Sequence, residues 1–168
     1  NTYGCGNVAI GNQVLYCNTS GSNNIAVGCK ALFNNTTGNN NIAQGYQSLI
    51  SNTSGYGNIG LGKFSLYSNS TGKDNIAQGY GSLYSNTIGK NNAAFGNYAL
   101  KNNTSGCSNI AIGYLALCGN TYGVSNIAQG YMALKCTTSG CDNTGFGRNA
   151  LYSNTTGSNN TAIGNNSL

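Results

Sequence analysis

The stretch Asn41-Ile42-Ala43-Gln44-Gly45 decides the fold, because the chain never stops returning to it. Spelled loosely as Asn-x-Ala/Gly-x-Gly, it begins at Asn7, Asn24, Asn41, Asn58, Asn75, Asn92, Asn109, Asn126, Asn143 and Asn160, always 17 residues apart. There is no insertion and no deletion. A fixed short period is the mark of a repeat architecture in which each unit rests on its neighbours.

Numbering each repeat from its leading Asn, residues 1–6 close a preceding repeat, 7–159 hold nine complete ones and 160–168 open another. The chain therefore reads as one repeat array, a segment of a longer one. Besides the Asn of position one, three positions never vary: Gly at position five (Gly11 to Gly164), Gly at fifteen (Gly4 to Gly157), and Leu at nine. The Leu column is Leu15, Leu32, Leu49, Leu66, Leu83, Leu100, Leu117, Leu134, Leu151 and Leu168. Position twelve is Asn except at Thr137, and thirteen is Thr except at Ser70.

Two obligatory glycines and several Asn per repeat weaken a helix too much for one to form. Strands fit better. Positions two and four mostly take Ile, Val, Leu or Phe around a small Ala or Gly, as in Ile59-Gly60-Leu61. Positions six to ten, as in Tyr80-Gly81-Ser82-Leu83-Tyr84, read as a second short strand. Asn-Thr-x-Gly at twelve to fifteen is turn chemistry, and Gly at five supplies another corner at positive φ. One repeat is then one coil, and the fold class is all-β, a parallel β-solenoid (β-roll) with one 17-residue repeat per coil. Coils stacked at about 4.8 Å make a rod roughly 48 Å long. Stacking puts Asn over Asn at positions one and twelve, where the amides can bond side chain to side chain. The Leu column fills the narrow core. Absence of Pro agrees, since Pro would break the ladder.

Alternation along the first strand places its large and small apolar residues on opposite faces, and both faces read as buried. One packs inside the coil; the other calls for a cover, most simply another copy of the chain. Gln44, Gln78 and Gln129, which interrupt position four, would then hydrogen-bond to one another around a symmetry axis. The alternative is a wide coil that holds both large positions inside and leaves Ala exposed, and it needs no partner.

Composition removes several function classes. Charged residues are 5%, against about 25% in typical domains. The net charge of +5 comes from dispersed basic residues, with no basic stripe for nucleic acid. No run of 18 apolar residues is present, so no membrane-spanning helix is expected. Without His or Glu, no Ser/His or Cys/His nucleophilic pair can be assembled. The two acids, Asp74 and Asp142, fall four coils apart, about 19 Å along the rod, whereas paired-carboxylate chemistry needs roughly 5–9.5 Å. Gly145-Phe146-Gly147-Arg148-Asn149-Ala150 mimics a dinucleotide fingerprint, but its glycines are repeat positions three and five. No enzyme activity, cofactor or resident metal is expected.

The cysteines are Cys5, Cys17, Cys29, Cys107, Cys118, Cys136 and Cys141. Their places near the turns suggest pairs Cys5–Cys17, Cys107–Cys118 and Cys136–Cys141, with Cys29 left over, in an oxidising extracellular setting. Free thiols, and zinc on the last four, are the alternatives. Asn18, Asn35, Asn52, Asn69, Asn103 and Asn154 head Asn-x-Ser/Thr acceptors for glycosylation, though the turn itself also selects those residues. Tyr46, Tyr80, Tyr114 and Tyr131 at position six, with Tyr16, Tyr67, Tyr84 and Tyr152 at ten, form outward aromatic rows. Such rows either stack on sugars or shield the strands.

Asn154-Thr155-Thr156-Gly157-Ser158-Asn159-Asn160-Thr161-Ala162-Ile163-Gly164 resembles the Asn-Thr-Thr-Gly…Asn-Thr-Ala-Ile-Gly repeats of phage tail fibres and bacterial surface proteins. It is also similar to the Ala-Ile-Gly repeats in the heads of trimeric autotransporter adhesins, whose coil is shorter. The resemblance covers the whole chain. It implies a trimeric parallel β-roll displayed outside the cell or on a virion, with a cell-surface or carbohydrate receptor as partner. The functional expectation is a non-enzymatic structural or adhesive fibre segment, self-associated as a homotrimer or end-to-end filament. A phage tail-fibre shaft and an ice-binding solenoid using the Thr column are the rivals.

Overall fold

A computed structural model describes residues 2–168; Asn1, assigned above to the tail of a preceding repeat, lies outside the described residues. Each repeat contributes one three-residue strand from positions two to four: β1 (Val8–Ile10), β2 (Ile25–Val27), β3 (Ile42–Gln44), β4 (Ile59–Leu61) and β5 (Ile76–Gln78). The series continues with β6 (Ala93–Phe95), β7 (Ile110–Ile112), β8 (Ile127–Gln129), β9 (Thr144–Phe146) and β10 (Thr161–Ile163). They form a single parallel sheet in chain order, and every register pairs a residue with its counterpart 17 further on, as Val8 with Ile25. The parallel β-solenoid with one repeat per coil is the fold. The sheet is flanked by turns alone, so the second strand expected at positions six to ten is absent among the described residues.

That segment turns instead. Position seven is left-handed in every coil, from Gln13 (φ 55°) to Asn166 (φ 53°), and so is the Leu of position nine, from 48° at Leu15 to 57° at Leu168. A non-glycine residue held there costs about 1 kcal/mol. Burying the Leu side chain returns about 1.5–3 kcal/mol, so the conformation is retained. Axial hydrogen bonds hold it as well, with Leu32 N–H donating to the Ser48 carbonyl at 3.1 Å and Lys30 N–H to the Asn12 carbonyl at 2.9 Å. Strand propensity at Tyr80–Tyr84 is overridden because the chain must reverse inside a 17-residue loop.

Gly at position five has φ between 119° (Gly28) and 142° (Gly130), the positive corner expected. Gly at fifteen is kept for a different reason. A Cβ on Gly38 would run into the Asn35 side-chain oxygen and the Gly55 carbonyl of the next coil.

The core is one residue wide. From Leu32 to Leu134 the Leu column has no exposed surface, and it packs against Ala at position three and the small residue at eight. Leu168, expected in that core, is 82% exposed, because no coil stacks beyond it in the structure. The alternative wide coil is excluded: Ala26, Ala43, Ala77, Ala94, Ala111 and Ala128 are buried, and the large residues beside them point out.

Both Asn ladders form. At position one, Asn41 Oδ1 accepts the backbone N–H and the Nδ2 of Asn58 at 3.0 and 3.1 Å, and Asn58 Nδ2 also donates to the Gly72 carbonyl at 2.8 Å. At position twelve, Asn52 Nδ2 donates to Asn35 Oδ1 at 2.7 Å and to the Gly55 carbonyl at 3.0 Å. These amides are fully buried, and burial without such partners would cost roughly 1–3 kcal/mol per group. Among the described residues the ladder breaks once. Thr137 stands where Asn120 Oδ1 needs a donor, so that oxygen is buried with none, and the Thr137 hydroxyl turns to the Asn154 carbonyl at 3.0 Å.

Candidate functional site: the outer face of the sheet

Because position three points inward, positions two and four point outward from all ten strands. Position two presents Val8, Ile25, Ile42, Ile59, Ile76, Ala93, Ile110, Ile127, Thr144 and Thr161; position four presents Ile10, Val27, Gln44, Leu61, Gln78, Phe95, Ile112, Gln129, Phe146 and Ile163. Ile25 is 42% exposed, Ile127 41% and Phe146 49%. Ten strands at about 4.8 Å and three residues at about 3.3 Å give a strip some 40–50 Å long and about 10 Å wide. That is roughly 400–500 Å², the size of the largest apolar patch on an ordinary monomer, a feature that is often functional. The strand has the two faces that its alternation implied, and the structure adds which is which: the small residues turn inward and the large ones outward.

Gln44, Gln78 and Gln129 lie exposed within this strip. No charged residue occupies either column. The strip is thus uncharged and mostly aliphatic, with three amides at fixed levels.

The tyrosine rows point outward too, but they are fused. Phe64, at position seven, meets Tyr46, Tyr67, Tyr80 and Tyr84 edge-on at centroid distances of 5.6–6.3 Å, tying position six to position ten. Tyr67 and Tyr84 stack at 4.8 Å, Tyr16 stacks on Phe33 at 5.2 Å, and Tyr114 on Tyr131 at 5.6 Å. Lys63 sits over Phe64 at 5.0 Å. Reading only positions six and ten missed Phe64; its signal was an aromatic at position seven, shared with Tyr98. Such mutual ring contact is worth about 0.5–1.5 kcal/mol per pair beyond burial. Tyr152 accepts from Lys135 Nζ at 3.1 Å and Tyr56 from Lys73 Nζ at 3.0 Å, and each bond raises its lysine's pKa. Burial and the Tyr80 hydroxyl push the Tyr98 phenol up.

The proposed sugar acceptors are ladder residues. Asn18, Asn35, Asn52, Asn69 and Asn103 are buried, and the Nδ2 that a glycan would need already donates to the Gly carbonyl three residues on. Asn154, half-buried, donates in the same way to Gly157. Burial of the five amides from Asn18 to Asn103 leaves no room for a glycan there, which corrects the sequence reading at those positions.

In the structure all seven cysteines are free thiols, and none of Cys5–Cys17, Cys107–Cys118 and Cys136–Cys141 is joined there. Position-sixteen thiols turn back to their own corner: Cys5 to the Tyr3 carbonyl at 3.7 Å, Cys107 to Ser105 at 3.3 Å and Cys141 to Ser139 at 3.5 Å. Cys118 and Cys136 sit elsewhere, beside Lys101 and Lys135. Among the described residues no three His, Cys, Asp or Glu side chains gather, and no cavity opens. Among the described residues no helix is long and apolar enough to cross a membrane.

The Thr column is engaged internally. Thr36, Thr37 and Gly38 N–H all converge on the Thr53 carbonyl at 2.9–3.2 Å, and the Thr36 hydroxyl donates to the same oxygen at 3.0 Å. What the molecule offers outside itself is chiefly the apolar sheet face. Comparison with known proteins finds no matching family model, no matching curated protein and no matching solved structure.

Proposed function

We propose that this chain is a non-enzymatic structural rod that associates with copies of itself through the outer sheet face, as a segment of an extracellular or virion fibre. The observation that carries this reading is the apolar strip running the length of all ten strands. Apolar area of this kind drives association at about 25 cal/mol per Å² removed from water. A copy of the same solenoid is the partner that fits, because its rows repeat at the same axial spacing and keep register along the whole strip. Three strips around one axis cover every face, and they set the Gln44, Gln78 and Gln129 amides level with their own copies. The ladders give the rod stiffness and reach, and any receptor contact falls to repeated outer rows. The ice-binding alternative is weakened by the Thr36-type hydroxyls, which donate to the neighbouring coil.

The test is the solution mass of the segment by light scattering, with electron micrographs of the same sample. A mass near three chains is expected. Substituting Ile76→Lys and Ile110→Lys together should give a single-chain mass with an unchanged circular dichroism spectrum, since both side chains lie on the exposed face. A single-chain mass for the unsubstituted protein would overturn the reading. Long uniform filaments would replace the trimer with end-to-end joining.

A further inference from the structure

Two of the free thiols lie on adjacent coils at neighbouring positions. Cys118 is at position ten of one coil, and Cys136 at position eleven of the next. The axial register is fixed there by the Gly119 N–H donating to the Lys135 carbonyl at 2.9 Å and by Cys136 N–H donating to Tyr152 at 3.1 Å. Gly119 is therefore stacked beneath Cys136 and has no side chain to stand between the two thiols. A coil spacing of about 4.8 Å combined with one residue's advance of about 3.8 Å puts the two Cα atoms about 6 Å apart. Disulfides span roughly 4.4–6.8 Å between Cα atoms. Both cysteines are half-buried, so reagent can reach them. They share an electrostatic neighbourhood: Lys135 responds to both thiols, and Cys118 to Lys101, Lys135 and Cys136.

The place is mechanically singular. Cys136 precedes Thr137 and Gly119 precedes Asn120, so the pair flanks the one missing rung of the position-twelve ladder, where Asn120 Oδ1 lacks a donor. We propose that Cys118 and Cys136 join in a disulfide that staples adjacent coils across the break in the Asn ladder. This inference is independent of the sheet-face assembly. It also differs from both turn pairings expected for these cysteines from the sequence.

The chemistry balances with a disulfide oxidant such as oxidised glutathione. Burial holds the Cys118 thiol up, against the pull of Lys101 and Lys135. The exchange opens at either thiol, for instance Cys136. Its thiolate bonds to one glutathione sulfur and expels the other half as glutathione thiolate. Cys118, on deprotonation, then attacks the Cys136 sulfur and expels the second glutathione. Two protein thiols are oxidised, one glutathione disulfide is reduced, and the two protons lost by the protein thiols are taken up by the expelled glutathione thiolates.

The test is to incubate the purified chain with oxidised glutathione, alkylate remaining thiols in denaturant, and map the peptides. Trypsin cuts after Lys101, Lys135 and Arg148, which parts Cys118 from Cys136. Residues 102–135 and 136–148 should then appear as one linked species, lighter than the two reduced peptides by two hydrogens. Chymotryptic cleavage after Leu117 should leave Cys107 off the link. The linkage should survive Cys141→Ser and vanish with Cys136→Ser. Pairing of Cys118 with Cys107, pairing of Cys136 with Cys141, or alkylation of both would overturn the proposal.

Discussion

The Asn–Gly corner and the outer sheet face belong to the same coils, yet they treat sequence in opposite ways. At the corner, positions one, twelve and fifteen hold almost without change, the amides of the inner coils are buried, and except at Thr137 each touches its own kind above and below. On the sheet face, positions two and four wander through Ile, Val, Leu, Phe, Thr, Ala and Gln while the backbone register stays fixed. Strict repetition thus follows axial contact between side chains. Where only the backbone pairs along the axis, any residue of suitable outward chemistry serves.

The comparison is broken most sharply at the corner. Asn58→Ala removes the amide that bonds to Asn41 and Gly72 and leaves the buried Asn75 N–H without its acceptor. We expect a loss of about 4 kcal/mol in urea unfolding, from several lost bonds and one buried orphan. A loss below about 1 kcal/mol would mean that the ladder is decorative. The glycine column gives a smaller, cleaner contrast. Gly45→Ala and Gly164→Ala impose similar backbone strain, at φ 141° and 123°, but a Cβ at Gly45 meets the Gly62 backbone whereas at Gly164 it meets nothing within 4 Å. Gly45→Ala should cost about 2 kcal/mol more than Gly164→Ala, a difference that isolates the clash from the strain. Equal midpoints would deny that coil-on-coil contact selects the glycine.

The smallest effect sharpens the same point by repair. Thr137→Asn supplies the missing donor to Asn120 Oδ1 and an acceptor for Asn154 Nδ2, which now bonds only Gly157. We expect a gain of about 1 kcal/mol and slower amide exchange in the coils on either side. No gain would show that the Thr137 hydroxyl bond to Asn154 already compensates.

The period, the two Asn ladders and the Leu core were legible in the sequence because each is a column, and a column repeats. The inner and outer faces of the strand were half legible. Alternation separates Ala43 from Ile42 and Gln44, but which set turns inward depends on the coil's width, set by Leu49 at a left-handed φ of 52°. That conformation has no propensity signal, since Leu ordinarily avoids it, and so positions six to ten were read as a strand. The sequons failed for a related reason: Asn35-Thr36-Thr37 is the same string whether its amide faces solvent or, as here, the next coil.

The uniform one-coil offset has a kinetic consequence. Nearly every backbone bond outside a turn joins residues one repeat apart, as Val8 to Asn24 or Gly28 to Ile10. In a chain of 168 residues this is a relative contact order of about 0.1, a value usual for helical bundles and low for all-β proteins. Closing one loop of 17 residues makes the next closure no harder, so folding can start at any coil and zip toward both ends. A parallel sheet of ten strands, ordinarily among the slowest topologies to assemble, is here put together from contacts that are all nearly local.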